Sequence, residues 1–306
     1  MHSALKDTAL IAVGGPDAAS FLQAQLTSDV LALAPLRTQY SGYCSPKGRL
    51  LATFLLWRLE NEVLLQLPAA LATELRARLQ KYVLRSRVTL SDAADRFRIH
   101  GFAGEDAEAA VLSLAGHVPS TAHEVFSRNG LTIARLGSNR YVVLAAADGE
   151  RQFEDSSTLH ALAPADAWSR NEIEAGIPWI TAATQDQFVP QMVNLDLIGG
   201  VSFGKGCYPG QEIVARMHYL GRLKQRMYRI RFASAETAHA GDALFSPRFG
   251  AEQSCGTVLA VVRSPGDEYD GLAVVQVDSA RDRAVHWKEL AGPMLEFLPL
   301  PYAVPE

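Results

Sequence analysis

A cation, a thiol, an amide, a carboxylate and a second cation follow one another in the stretch Lys205-Gly206-Cys207-Tyr208-Pro209-Gly210-Gln211-Glu212, with Arg216 just beyond it. A cation beside a thiol favours the thiolate, the form that attacks electrophiles and binds metals. Gly206 and Gly210 permit φ > 0 and close approach of another group. Pro209 fixes its own φ and pushes Tyr208 towards an extended conformation. The competing reading is an ordinary turn holding a small buried cysteine. The density of unusual residues weighs against it, from Val201-Ser202-Phe203 leading in to Ile213-Val214-Ala215-Arg216 leading out. Three roles stay open for Cys207: a nucleophile or redox thiol, a transient metal or cluster ligand, and a structural cysteine. The nearest histidine along the chain is His218, so a Cys-His hydrolase has little support.

The elements that must position this stretch can be read from pattern. Leu10-Ile11-Ala12-Val13 reads as a strand running into a Gly14-Gly15-Pro16-Asp17 turn, with Asp17 or Ser20 as the cap of a helix carrying Phe21, Leu22 and Leu26. Leu50 to Leu67 is a hairpin around Glu60-Asn61-Glu62. Pro68 opens a helix with Leu71, Leu75, Leu79, Tyr82 and Val83 on one stripe. Strands at Phe97–Phe102, Leu131–Leu136 and Tyr141–Ala145 bracket an Ala-rich helix near Glu105–Ala115. That order is characteristic of α+β layers, not of a doubly wound parallel sheet. Helices are expected within Gly149–Asp166 and over Trp168–Gly176, the second ended by Gly176 and Pro178. After Arg222 short β-rich runs, Arg226–Ala233, Cys255–Val262 and Gly271–Val277, are separated by turns, as in a small barrel or sandwich, with no helix of any length. A domain boundary is placed at residues 222–226, dividing the chain into 1–223 and 224–306.

Composition limits the function classes. The chain has 306 residues, 48% hydrophobic and 20% charged, with a formal net charge of −4. That balance argues against a dedicated nucleic-acid coat, makes direct nucleic-acid binding an unfavoured reading, and leaves room for a local basic patch. Cys44, Cys207 and Cys255 are scattered and lack C-x-x-C spacing, so neither a disulfide framework nor a dedicated structural metal site is expected. A reducing, cytoplasmic setting fits, with no signal peptide, no apolar run long enough to span a bilayer and no membrane partner. From Ile213 to Ala235 there is no Asp or Glu, against Arg216, Arg222, Lys224, Arg226, Arg229 and Arg231. The later arginines read as a solvated edge strand. Arg216, four residues after Glu212 and able to pair with it on a helix, is the better candidate for a site role.

The segment Glu174 to Arg226 resembles the YgfZ-type family, folate-binding proteins related to the aminomethyltransferase (T-protein) of the glycine cleavage system that support iron–sulphur enzymes. The resemblance is carried by Glu174-Ala-Gly-Ile-Pro-Trp-Ile, by Phe188-Val-Pro-Gln-Met-Val-Asn-Leu, and by Gly199-Gly-Val-Ser-Phe-Gly-Lys-Gly-Cys-Tyr-Pro-Gly-Gln-Glu-Ile-Val-Ala-Arg. A second block, Phe21-Leu-Gln-Ala-Gln-Leu-Thr-Ser-Asp-Val followed by Lys47-Gly-Arg, agrees with it. It implies an α+β, T-protein-like folate-binding ring of two interleaved α+β units plus a C-terminal β-barrel, with tetrahydrofolate or a folate derivative in a central hole.

Within that resemblance a pterin asks for an aromatic plane and a carboxylate, and Trp168 and Glu174 supply both types. Arg216, Gln211 and Glu212 complete the implied cofactor-binding set, and Lys205 and Arg216 are candidates for the folate carboxylates and for setting the charge around Cys207. Two departures stand out. Thr8 occupies the position where family members often carry a tryptophan. Ala52 and Thr53 occupy the position of the aminomethyltransferase acidic pair, and neither can run general acid/base chemistry. The expectation is therefore a folate-binding accessory protein for the assembly or repair of iron–sulphur enzymes, tRNA-modifying ones included. Cys207 would be its functional thiol and iron–sulphur enzymes or assembly proteins its partners. It is not expected to be a conventional enzyme; the alternative is a folate-dependent one-carbon transferase or demethylase.

Overall fold

A computed structural model describes residues 1–155, 163–164 and 166–305. The chain divides into two compact units, one of Met1–Ala24, Asp29–Tyr40 and Phe54–Trp168, the other of Gln25–Ser28, Ser41–Thr53 and Ser169–Glu306.

The first unit begins with β1 (His2–Ala4), β2 (Thr8–Gly14) and α1 (Ala18–Gln23). Asp17 precedes α1 but does not cap it with its side chain; its carboxylate instead accepts the Arg87 backbone N–H at 2.8 Å. Next come β3 (Arg37–Cys44), β4 (Leu50–Arg58), β5 (Glu62–Pro68) and α2 (Ala69–Gln80). The expected hairpin is β4–β5, paired antiparallel from Leu55↔Gln66 to Arg58↔Val63. On α2 the four-residue spacing of Leu71, Leu75 and Leu79 buries all three, while Tyr82, past the helix end, is 47% exposed. These strands form a sheet of order β3-β4-β5-β2-β6 with β6 (Thr89–Asp92).

A second sheet of order β1-β7-β10-β9-β8 follows, from β7 (Arg98–Ala103), β8 (Val125–Arg128), β9 (Leu131–Gly137) and β10 (Arg140–Ala145). The helix α3 (Ala107–Ala115) ends on Gly116 at φ 70°, a left-handed cap that glycine adopts without strain. Ala107 and Val111 of α3 pack on Phe102, Leu131, Ile133, Tyr141 and Val143 of the sheet. Each such fully buried large apolar side chain contributes about 1.5–3 kcal/mol. The helix expected within 149–166 is present as α4 (Ala147–Asp155), and the rest of that expectation falls on 156–162 and 165, outside the described residues.

The chain passes through α5 (Ala167–Glu174), a 3₁₀ turn at Pro190–Val193 and α6 (Gln211–Tyr219). The change of pattern at 222–226 is the entry into β11 (Gln225–Ala233). With β12 (Ala243–Phe245), β13 (Gly256–Arg263), β14 (Glu268–Gln276), β15 (His286–Trp287) and β16 (Glu296–Leu298) it builds a six-stranded sheet of order β15-β12-β13-β14-β11-β16. Its core gathers Ile230, Phe232, Leu244, Val258, Val275 and Trp287. One short helix, α7 (Val277–Asp282), follows β14, where the sequence pattern showed none. Six residues carry too little periodicity to register. Among the described residues no helix is long and apolar enough to cross a membrane.

An unannounced feature of the first unit is a buried histidine chain. His2 Nε2 lies 3.0 Å from His100 Nδ1, and His100 Nε2 lies 3.1 Å from Glu150 Oε2. The His100 ring stacks on Phe153 at 4.0 Å and the His2 ring on Phe102 at 4.6 Å. Burial, then the neighbouring His100, holds His2 at a pKa of about 4; burial also lowers His100 and His123. The folded protein keeps these rings neutral, whereas the unfolded chain protonates them near ~6.5. Stability is therefore complete above that pH and falls as pH drops from about 6.5 towards 4, where His2 itself titrates. Thermal melts across that window should show a loss of about 1–2 kcal/mol beyond the carboxylate contribution, and His2→Phe should flatten the slope. An unchanged slope in His2→Phe would show that this ring is not the sensor.

Candidate functional site

In the second unit the Cys207 turn is held from both sides. Ser45 to Gly48 form a tight turn closed by Gly48 N–H donating to the Ser45 carbonyl at 2.9 Å. Gly48 has φ 70° and Gly210 φ 80°, both left-handed. The two backbones touch: a Cβ on Gly210 would lie 2.5 Å from Gly48 Cα, and one on Gly48 would lie 2.8 Å from Ile213 Cβ. Only glycine satisfies both the angle and the space. The Lys47-Gly48-Arg49 block and the cysteine motif are thus two halves of one contact.

Lys205 is 8% exposed, so its ammonium does not sit in solvent beside Cys207 as a free point charge. Its Nζ donates to the Leu26 carbonyl at 2.5 Å and lies 4.9 Å from the centroid of the Tyr208 ring. Gln211 closes the loop, donating from Nε2 to the Lys205 carbonyl at 3.3 Å and from its backbone N–H to Tyr208 at 3.2 Å. Thr27 fixes the approach, its Oγ1 donating to Gly200 at 2.6 Å and its carbonyl accepting from Ser202 at 2.9 Å. Tyr208 is buried, and burial followed by the nearby Cys44 thiol raises its pKa. Cys207, between these anchored residues, is the one exposed cysteine; Cys44 and Cys255 are buried. Burial pushes the Cys44 thiol well up and that of Cys255 to about 11, so neither is a thiolate at neutral pH.

The position of the missing acidic pair has a structural use. Ala52 is fully buried, and Thr53 Oγ1 donates to the Pro178 carbonyl at 2.7 Å while accepting the Ile180 N–H at 3.0 Å. The hydroxyl ties β4 to the segment after α5, with its one proton and one of its lone pairs engaged. Thr8 sits in β2 opposite Pro68.

Trp168 and Glu174 occupy opposite ends of α5. The six-membered ring of Trp168 packs on the Gly101 backbone, where a Cβ would lie 2.3 Å from it, and the Arg140 guanidinium is 5.5 Å from the ring centroid. Trp168 is 8% exposed, and its indole N–H has no hydrogen-bond partner among the described residues. Glu174 is largely exposed, with Oε1 3.5 Å from Arg229 Nη2. Trp168 thus presents an indole packed on Gly101, and Glu174 a carboxylate at the surface near Arg229.

The acid-free cationic run divides in two. Arg226 is bidentate to Asp196, at 2.8 and 3.2 Å, and buried Asp270 gathers Arg170, Arg229 and Arg231. These later arginines are structural. Arg216, Arg222 and Lys224 have no ion-pair partner among the described residues, so the expected Glu212–Arg216 pair does not form. The sequence reading named Phe203 and His218 separately and did not pair them; their rings stack at 3.7 Å with Tyr219 edge-on to both. The aromatic types at 203, 218 and 219 were the available signal. Among the described residues no group of three or more His, Cys, Asp or Glu side chains is arranged to hold a metal ion.

No protein-family model matches the chain. It is 31% identical to the tRNA-modifying protein YgfZ of Sodalis glossinidius over 99% of this chain and 93% of that protein. The YgfZ of Edwardsiella ictaluri is 32% identical, over 98% and 91%. Among solved structures, the glycine cleavage system aminomethyltransferase T of Bartonella henselae superimposes with a TM-score of 0.75 at 19% identity, over 97% of this chain and 84% of that one. The fold is therefore the mixed α+β fold of the aminomethyltransferase T-protein.

Two outcomes follow from the geometry. A thiol-specific chromophoric reagent should react rapidly with one thiol per native chain, lost in Cys207→Ser, with two more appearing on unfolding; rapid reaction of two would contradict the burial of Cys44 and Cys255. Thr53→Val should leave the Pro178 carbonyl and Ile180 N–H unpaired and cost about 1–3 kcal/mol by denaturant unfolding.

Proposed function

The chain belongs to the family of the tRNA-modifying protein YgfZ, and from that premise we propose that it is a folate-binding accessory protein supporting the assembly or repair of iron–sulphur enzymes, tRNA-modifying ones among them. The observation that carries the proposal is the single exposed thiol, Cys207, held on a turn pinned by Gly48 and Gly210. Cys207 serves as the functional thiol. Lys205 shapes the loop by donating to the Leu26 carbonyl.

Tetrahydrofolate, when bound, supplies a reduced pterin whose amines carry one-carbon units. Glu174 accepts from the amino-pyrimidine edge, a charge-assisted bond. Trp168 contributes its indole N–H and ring edge. Gln211, Glu212 and Arg216 belong to the folate-binding set by family resemblance, with Arg216 meeting the anionic glutamate tail. The one-carbon transferase reading fares worse, because the only hydroxyl at the acidic-pair position, that of Thr53, is already bonded on both sides.

Titration with tetrahydrofolate under anaerobic conditions should quench tryptophan fluorescence and raise Tm, by about 2.7 kcal/mol of stabilisation at a hundredfold excess over Kd. Glu174→Ala should weaken binding about tenfold or more, the loss of a charged hydrogen bond. Neither a fluorescence change nor a Tm shift at millimolar ligand would sink the folate reading.

A further inference from the structure

The C-terminal end of α6 carries a surface that the folate reading does not use. Tyr219 is 65% exposed and Leu220 84%. Tyr219 stands edge-on, at 6.3 Å from Phe203 and 4.7 Å from His218, against a Phe203–His218 pair tilted only 12° from parallel. Directly after it come Arg222 and Lys224, both exposed and both without an ion-pair partner among the described residues. Elsewhere in this unit the arginines of β11 are neutralised by Asp196, Glu174 and Asp270. Exposed His218 and Tyr219 are thus followed within a few residues by the unneutralised cations Arg222 and Lys224, in a chain whose net charge is −4.

We propose that this end of α6, Phe203, His218 and Tyr219 with Arg222 and Lys224, is a docking surface for a single-stranded RNA segment such as a hairpin loop. The physical case is a division of labour. Cations track a phosphate backbone, and aromatic side chains supply faces on which unpaired bases stack, irrespective of sequence. A duplex would offer its phosphates but keep its bases covered. A purely acidic segment would satisfy Arg222 and Lys224 without using the ring of Tyr219. An unpaired nucleotide uses both halves of the surface. The overall negative charge keeps non-specific binding weak, so the contact is local. The proposal is independent of folate binding, since it uses neither Trp168 nor Glu174.

The test is fluorescence anisotropy of the full chain with a labelled RNA hairpin bearing a seven-nucleotide loop and with its fully paired counterpart. Measurements run from about 50 to 200 mM salt, where phosphate contacts are read as a slope. The hairpin should bind more tightly than the duplex. Tyr219→Ala should weaken hairpin binding about tenfold, the loss of one stacked base, and leave duplex binding unchanged. Arg222→Ala combined with Lys224→Ala should lower the log–log salt slope by about 1.4. All three side chains are exposed, so the variants should keep the wild-type Tm and the thiol count of the native protein. Equal affinity for hairpin and duplex would overturn the proposal, as would an unchanged Tyr219→Ala. Displacement of the hairpin by polyglutamate at equal charge concentration would overturn it in favour of an acidic protein partner. Absence of hairpin binding at the lowest salt would also overturn it.

Discussion

Two glycine backbones in left-handed conformations lie against each other where the Ser45–Gly48 turn meets the start of α6, with Gly48 at φ 70° and Gly210 at φ 80°. Much of the second unit's chemistry depends on that contact. It sets where α6 begins, and Val214, buried on that helix, is tied onward by Gln191, whose Nε2 donates to its carbonyl at 2.7 Å. A Cβ at either position would force the turn and the helix apart, a steric cost that adds to the left-handed strain. Cys207 then has no freedom to retreat: Lys205 before it and Tyr208 after it are both buried, so the intervening residues project outward. The thiol is exposed because its neighbours are not.

The same economy of buried polar groups holds at Ala52 and Thr53, the positions that the family resemblance aligns with an acidic pair. Where the aminomethyltransferases carry an acidic pair, this chain has Ala52 in the core and Thr53 bridging a carbonyl and an amide across the unit. A carboxylate at either place would be buried among apolar strands at a cost of several kcal/mol unless paired. Thr53 therefore acts as a structural tie, and Cys207 is the thiol that the folded protein exposes.

Local pattern was legible wherever the physics is local. The β4–β5 hairpin, the Leu71/Leu75/Leu79 stripe and the start of β11 follow from periodicity and turn residues over a few positions. The cysteine motif was legible as a turn needing glycine. Its supports were not, because they come from far along the chain: Leu26 for Lys205, Gly48 for Gly210, Asp196 for Arg226. The later arginines read as a solvated edge strand, but β11 is paired on both sides, by β14 and β16, and tertiary pairing with Asp196 and Asp270 separates its arginines from exposed Arg222 and Lys224. The His2–His100–Glu150 chain gave no signal at all, since each residue alone is an ordinary inward or edge position of a strand or helix.

The central claim is that this presented thiol is what the protein contributes to its clients. The most direct measurement is the activity of an iron–sulphur tRNA-modifying enzyme, read as the modified-nucleoside content of tRNA, in cells whose only copy of this protein is Cys207→Ser, under oxidative stress. The account predicts modification falling to the level of cells lacking the protein altogether, with the variant present at wild-type abundance and still stabilised by tetrahydrofolate. Wild-type modification levels in Cys207→Ser would contradict it and leave the chain as a scaffold.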